Sequence, residues 1–365
     1  MSLPSVAPKD VALESRRLAM ADHQVEAGIE AGVFPAAVLL VARHGKIAHL
    51  KAFGKLGDGR PTQPDSIFDL ASVTKPHVAT GLLTLVEDGK VVLSQTVEDW
   101  LPQVKGSAFA PLTIRQLATH SAGLPAWKAL YKVTGGREAI LADMFSTPLH
   151  HPSDTKYTYS DLGYITIGEI VAKASGMPLD QYLHARLFAP LGMKDTGYLP
   201  APTLRDRIAP TANEPSRPSA TMSGVVHDGN SNSLGGLAGH AGLFGTAPDL
   251  AILASALVGD GSVKGNRVLG VPTLRLVRTS QIPPEIGGHS IGWFTYPNDM
   301  LPRGDIWGPT TFGHTGFTGT MIVCDPVYDI AVILLTNRVM NPADGTGIAR
   351  VRRRVLNAVA SAITK

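Results

Sequence analysis

Ala12, Leu13, Leu18, Ala19, Val25 and Ile29 recur at helical spacing and Gly32 ends the run, which predicts a helix over 11–31. Two strand-like apolar runs follow, 36–43 and 46–53, with His44-Gly45 between them as a hairpin turn. Residues 72–87 are helical, with Leu82, Leu83 and Leu85 inside and Gly89 beyond. Short helices over 113–119, 137–145, 161–174, 179–187, 248–258 and 271–279 fill the middle of the chain. Residues 199–245 read as mostly irregular, broken by Pro200, Pro202, Pro210, Pro215 and Pro218 and then by glycines. Strands return over 290–295, 319–324 and 330–336, the last two joined by a turn over 326–329. A last helix runs over 347–363, and its Arg350, Arg352, Arg353 and Arg354 read as a solvated face.

Strands at both ends with helices between them predict an α/β chain of the layered α+β kind: one sheet with flanking helices and a helical region inserted. The expected boundaries are 10–70 with 246–365 for the sheet domain, 71–245 for the mostly helical domain, and 1–9 for a flexible N-terminus. Composition narrows the function. Hydrophobic residues at 44% and charged residues at 17% exclude a disordered chain. A net charge of +3 from 33 basic and 30 acidic residues is no nucleic-acid footprint. The first long apolar run, 34–42, is about half of what a membrane span needs. The single Cys324 rules out an intrachain disulfide and a cysteine-based zinc site. With no signal peptide visible, the chain suits the cytoplasm or the periplasm, the former slightly favoured.

The most informative segment is Ile67-Phe-Asp-Leu-Ala-Ser72-Val-Thr-Lys75-Pro76. Three-residue spacing puts Ser72 and Lys75 on one helix face. A serine hydroxyl needs an adjacent base to act as a nucleophile, and a lysine amine one turn away can serve if burial lowers its pKa. Alone, S-x-x-K also describes a helix cap followed by a surface lysine. Two later elements change that reading: Tyr159-Ser-Asp161 at a helix start, and His314-Thr-Gly316 before a strand.

In this order the three motifs resemble the signature of serine β-lactamases and penicillin-binding proteins, S-x-x-K, Tyr-x-Asn and Lys-Thr-Gly. The tyrosine form resembles the class C β-lactamases and related esterases and D-aminopeptidases. Thr119-His-Ser-Ala-Gly-Leu-Pro125, Leu191-Gly-Met193 and Leu335-Thr-Asn-Arg338 extend the resemblance over about residues 10–360. It implies a β-lactamase/transpeptidase-like fold with an antiparallel sheet, and a serine hydrolase acting on a small ester or amide, β-lactams among the candidates, without cofactor or metal.

The resemblance also implies roles. Ser72 is the nucleophile that becomes acylated. Lys75 and Tyr159 act together as general base, and the Ser72 and Phe317 amides form the oxyanion hole. Asp161, Thr315, Gly316 and Trp127 contact substrate. Two departures stand out. Asp161 replaces Asn and is expected to raise the Lys75 pKa. His314 replaces Lys and removes a permanent charge, which argues against strong β-lactamase activity. His314 is expected to be a catalytic group, with hydrolysis depending on its titration near pH 6–7; the alternative is packing or a hydrogen bond to Tyr159. An acyltransferase, or a silent binding or sensor protein on the same fold, are the alternatives.

Other signals carry less. Gly288-His-Ser290-Ile-Gly292 matches G-x-S-x-G but lacks the strand-turn-helix context of that motif. His227, Asp228 and His240 on a glycine-rich loop read as structural rather than as metal ligands. Trp293 and Trp307, beside Trp127, read as core residues or pocket lining.

Overall fold

A computed structural model describes residues 2–213, 221–341 and 347–365, so Pro215 and Pro218 lie outside the described residues. Strand β1 (Ala36–Arg43) is buried at all eight positions. Its Val38, Leu40 and Ala42 enter one core, and Ala37, Leu39 and Val41 the other. A strand with a core on each face has no polar alternation, which is why this run is continuously apolar. Burying each such valine or leucine contributes about 1.5–3 kcal/mol.

The β1–β2 turn is His44-Gly45, with φ of 53° and 67°. Two consecutive positive φ values are what a two-residue hairpin needs. Beyond it runs β2 (Lys46–Gly54). The other strands come late in the chain: β3 (Phe294–Thr295), β4 (Phe312–Thr315), β5 (Met321–Asp325) and β6 (Ile330–Thr336). The sheet order is β3-β4-β5-β6-β1-β2, antiparallel throughout, with Leu39 of β1 opposite Leu334 of β6.

Helices α1 (Ser15–Glu30) and α5 (Gly347–Ser361) cover one face through Leu18, Val25, Val355 and Val359. On the opposite face α4 (Ala247–Val258), buried almost end to end, packs on β1 and β6. There α2 (Thr74–Glu87) also packs against α3 (Asp161–Ser175). Among the described residues no helix is long and apolar enough to cross a membrane.

Two expectations are corrected, and the stretch 1–9, expected to be flexible, is anchored at two points: Leu3 is buried, and the Val6 amide donates to the Ile47 carbonyl at 3.0 Å. Of the strand expected over 290–295, only Phe294–Thr295 pairs. Gly292 has φ of 93°, and the Ser290 amide turns back onto the Trp293 carbonyl at 2.9 Å. Lastly, the α5 arginines are not all solvated. Arg350, Arg353 and Arg354 are exposed, but Arg352 is buried. It lies on the apolar face, four residues from Ile348 and three from Val355.

Candidate active site

Phe68–Asp69 forms a short antiparallel pair with Leu243–Gly245, and the chain then turns sharply. Ala71 sits at φ of 48°, a conformation that costs a non-glycine residue free energy. The Asp69 carboxylate offsets this by accepting the Ala71 amide at 2.9 Å. Ser72 follows on a 3₁₀ turn (Ala71–Val73) that leads into α2. Lys75 lies in the first turn of α2, where Pro76 removes no needed donor.

Lys75 is entirely buried. Its Nζ donates to Ser72 Oγ at 2.9 Å and to the His240 carbonyl at 3.1 Å, and lies 2.7 Å from Asp161 Oδ1. An ammonium has three donors, and these three partners use them. Burial nevertheless pulls the Lys75 pKa down, outweighing the Asp161 and Asp228 carboxylates that oppose it. Asp161 does act in the expected direction, raising the Lys75 pKa, but loss of hydration exceeds the attraction of the paired charge and the net shift is downward.

Tyr159 and Asp161 flank the start of α3. Ser160 between them is tied to the 119–125 segment: its amide donates to His120 Nδ1 at 3.0 Å and its hydroxyl to the Pro125 carbonyl at 2.6 Å. Lys75 Nζ stands 4.8 Å from the Tyr159 ring centroid. Burial, then the Asp161 charge, push the Tyr159 pKa well above its ordinary value, against the pull of the Ser72 hydroxyl. At neutral pH the phenol is protonated, and of these two groups the lysine is the one whose pKa is lowered toward neutrality.

His314, on β4, is completely buried. Its Nδ1 donates to the Thr315 carbonyl at 2.9 Å, and its ring stacks on Phe294 at 4.4 Å. The Tyr159 ring is 6.0 Å away, in aromatic contact, and the proton of His314 goes to Thr315 rather than to Tyr159. Burial, then the Lys75 charge, push its pKa well below 6.5. The expected titration near pH 6–7 is therefore not a property of this imidazole.

Beyond His314 the chain makes a tight turn at 316–319. The Gly316 amide donates to the Thr320 carbonyl and the Gly319 amide to the Gly316 carbonyl, at 2.8 and 3.0 Å. A Cβ at Gly316 would meet Thr320 Oγ1 at 2.1 Å and the Leu70 carbonyl at 2.5 Å, so only glycine fits there. The Thr318 and Thr320 hydroxyls donate to the Asp69 and Leu70 carbonyls at 2.8 and 2.9 Å. These bonds fasten the turn that carries Phe317 to the segment that delivers Ser72. Thr315 and Gly316 form the strand end and turn beside the cavity, whose wall there is Phe317.

The cavity measures about 430 Å³. Ser72, Tyr159, Asp161 and Asp228 contribute its polar surface, and Trp127, Tyr131, His227 and Phe317 its aromatic walls. Phe317 is 61% exposed and stacks on His227 at 5.7 Å. Trp127 is half exposed, as a lining residue is, whereas Trp293 and Trp307 are buried in the core. Sequence reasoning missed Tyr131, and it read Asp228 and His240 as structural without foreseeing that they pair, 2.8 Å apart, beside the nucleophile. Burial opposes the Asp228 charge, yet His240, the Ser231 amide and Lys75 hold its carboxyl far below the usual range. The side-chain donor atoms of Asp161, Asp228 and His240 lie within 4.8 Å of one another. That is a donor set for a cation, and the Lys75 ammonium already stands against its Asp161 member. Ser290 is buried with its hydroxyl donated to the Val277 carbonyl at 2.6 Å, which leaves the G-x-S-x-G segment without a presented nucleophile.

Comparison with known proteins places the chain in a family and matches its fold. The Beta-lactamase family model matches residues 21–357. A putative D-alanyl-D-alanine carboxypeptidase of Salmonella paratyphi A is 29% identical over 93% of this chain and 87% of its own length. An N-acetylmuramyl-L-alanine amidase of Bacillus subtilis (strain 168) is 31% identical over 90% of this chain and 82% of its own. Among solved structures, EstCE1, a hydrolase with promiscuous acyltransferase activity, superposes with a TM-score of 0.77 at 22% identity, covering 94% of this chain and 99% of that one. The layered fold expected from the motifs is the fold of this solved structure and of a class C beta lactamase from Rhodobacter sphaeroides, which superposes with a TM-score of 0.73. The chain belongs to the β-lactamase family and is a serine hydrolase of that family.

Proposed function

We propose that this chain cleaves small esters or amides through an acyl-Ser72 intermediate, with Lys75 as the base. The observation that carries this reading is the 2.9 Å contact between Lys75 Nζ and Ser72 Oγ, made by a lysine whose pKa burial lowers. With Lys75 neutral, the Ser72 hydroxyl donates to Nζ. Oγ attacks the substrate carbonyl carbon as its proton passes to the amine. The tetrahedral oxyanion is held by the Ser72 and Phe317 amides, neither of which has a backbone acceptor among the described residues. As the carbon–leaving-group bond breaks, the leaving alcohol or amine takes a proton from Tyr159, which is replenished from Lys75. Water then repeats the sequence on the acyl-enzyme and releases the acid and Ser72.

Amide cleavage is favoured by the relatives, which are named as a carboxypeptidase and an amidase. Transfer of the acyl group to an alcohol or amine needs the same residues. A structural neighbour is described as having promiscuous acyltransferase activity. The test is a panel of p-nitrophenyl butyrate, D-alanyl amides and a chromogenic cephalosporin, run on wild type and Ser72→Ala. Loss of roughly four orders of magnitude in kcat is expected for the variant. Comparable ester turnover by Ser72→Ala overturns the assignment.

A further inference from the structure

The third motif lacks the lysine of its relatives, and His314 in its place is buried and neutral. A permanent cation nevertheless lies directly behind that strand. Arg352, on α5, is 8% exposed, and its Nη2 donates to the Gly316 carbonyl at 2.9 Å and to the Thr320 carbonyl at 2.8 Å. Arg352 is also close enough to lower the His314 pKa. Burial pulls its own pKa down only to about 9, so it is charged at neutral pH. A buried guanidinium is costly unless its position returns something, and the other arginines of this helix stay in water.

The carbonyl it holds decides the matter. Gly316 C=O and Phe317 N–H belong to one planar amide. A cation on the oxygen of that amide draws density out of it, and the N–H at its other end becomes a stronger donor. The Gly319 amide donates to the same oxygen, at 3.0 Å, so the polarising donors stack on one side of the peptide. Next to it the Phe317 carbonyl accepts from Arg338 Nε. Two consecutive carbonyls thus face arginines, while the Phe317 amide remains for the reacting oxygen.

We infer that Arg352 is a positioning and polarising residue for the oxyanion hole, supplying through the Gly316–Phe317 peptide the positive charge that the third motif has lost. The inference rests on the assignment of Ser72 and the Phe317 amide made above. It differs from a purely structural role in what it predicts. A pin for the turn acts on stability and on ground-state and transition-state binding alike. A polarised oxyanion donor acts on kcat and leaves KM in place.

The test uses Arg352→Lys and Arg352→Gln with p-nitrophenyl butyrate and with an alkylboronic acid. The boronic acid bonds Ser72 Oγ to boron and gives a tetrahedral anion whose oxygen occupies the hole, the serine proton passing to Lys75. For Arg352→Gln, kcat is expected to fall by about 10²-fold, with boronate affinity falling in parallel and KM within about threefold. Arg352→Lys keeps the cation without the paired hydrogen bonds and is expected to lose only about tenfold in both. Circular dichroism and the Tm establish that each variant is folded. If Arg352→Gln does not fold, the wild type and Arg352→Lys decide alone, and unchanged kcat and boronate affinity overturn the inference. It is equally overturned if folded Arg352→Gln binds the boronate as wild type does, or if Gln and Lys variants are equally impaired. A wild-type boronate adduct mapped to a residue other than Ser72 would instead remove the assignment on which the inference rests.

Discussion

The Nζ of Lys75 lies 2.7 Å from Asp161 Oδ1, and no part of that lysine reaches solvent. Burial and ion pairing act on it in opposite directions, and burial prevails. The base is active when neutral, so kcat/KM rises with pH through the lysine's pKa. Removing the Asp161 charge takes away a stabiliser of the ammonium and lowers that pKa further. In Asp161→Asn the rising limb of kcat/KM is therefore expected to move to lower pH by about 1–3 units. A shift to higher pH would show that the carboxylate does not act on Lys75 charge.

Four buried imidazoles have depressed pKa values: His77 at about 4, His289 at about 3, and His120 and His314 well below 6.5. Burial is the leading cause in each. A histidine whose folded pKa is lowered takes up a proton on unfolding at any pH between its folded and unfolded values. Its contribution to stability is complete above about pH 6.5 and is lost as pH falls below that, at about 1.4 kcal/mol per histidine per unit. Denaturant unfolding at pH 7, 6 and 5 should show stability declining from about 6.5, above the carboxylate range. A flat profile between pH 7 and 5 would contradict the burial of neutral imidazoles. For the same reason His314→Gln should leave the shape of the pH–rate profile unchanged between pH 5.5 and 7.5.

The Thr318 and Thr320 hydroxyls hold the Phe317 turn to the carbonyls just before Ser72. The double variant Thr318→Val, Thr320→Val keeps side-chain volume and deletes both bonds. Stability should fall by about 1 kcal/mol per bond, while kcat falls by about tenfold or more because the oxyanion donor is no longer fixed against the nucleophile. Unchanged kcat at reduced Tm would limit these residues to folding.

The central strands, the hairpin at His44-Gly45 and the Ser72–Lys75 pair were legible because each rests on local pattern. Apolar runs of strand length, a glycine at a turn and two residues one helical turn apart need no knowledge of the rest of the chain. What was not legible depends on distant partners. Asp228 and His240 acquire meaning only when the loop closes over Lys75. The charge state of His314 depends on burial and on the Lys75 charge, which residue type alone does not report. Arg352 had a signal that went unused, its place on the apolar face of α5 among Ile348, Val355 and Val359. Residues 290–293 failed as a strand because Gly292 and the Ser290–Trp293 bond turn the chain, and β-branched composition does not reveal that.

Among the described residues the cavity lining carries the carboxylates Asp161 and Asp228 and no lysine or arginine, Lys75 standing buried behind Asp161. An anionic substrate pays in repulsion what relatives with a third-motif lysine gain in attraction. Neutral esters should therefore be turned over with higher kcat/KM than penicillins or cephalosporins. Asp228→Asn should raise the ratio of anionic to neutral substrate turnover by about fivefold, equivalent to about 1 kcal/mol. A ratio unchanged or reduced in that variant would show that Asp228 does not set substrate charge preference.

The central claim is that Ser72 is the residue acylated. A fluorophosphonate esterified with a simple alcohol tests it most directly, since Ser72 Oγ displaces fluoride and forms a stable phosphonyl ester. Intact-mass measurement followed by peptide mapping should show one adduct per chain, on the peptide containing Ser72, and none in Ser72→Ala. An adduct on another residue, or full labelling of the folded Ser72→Ala variant, would contradict the account.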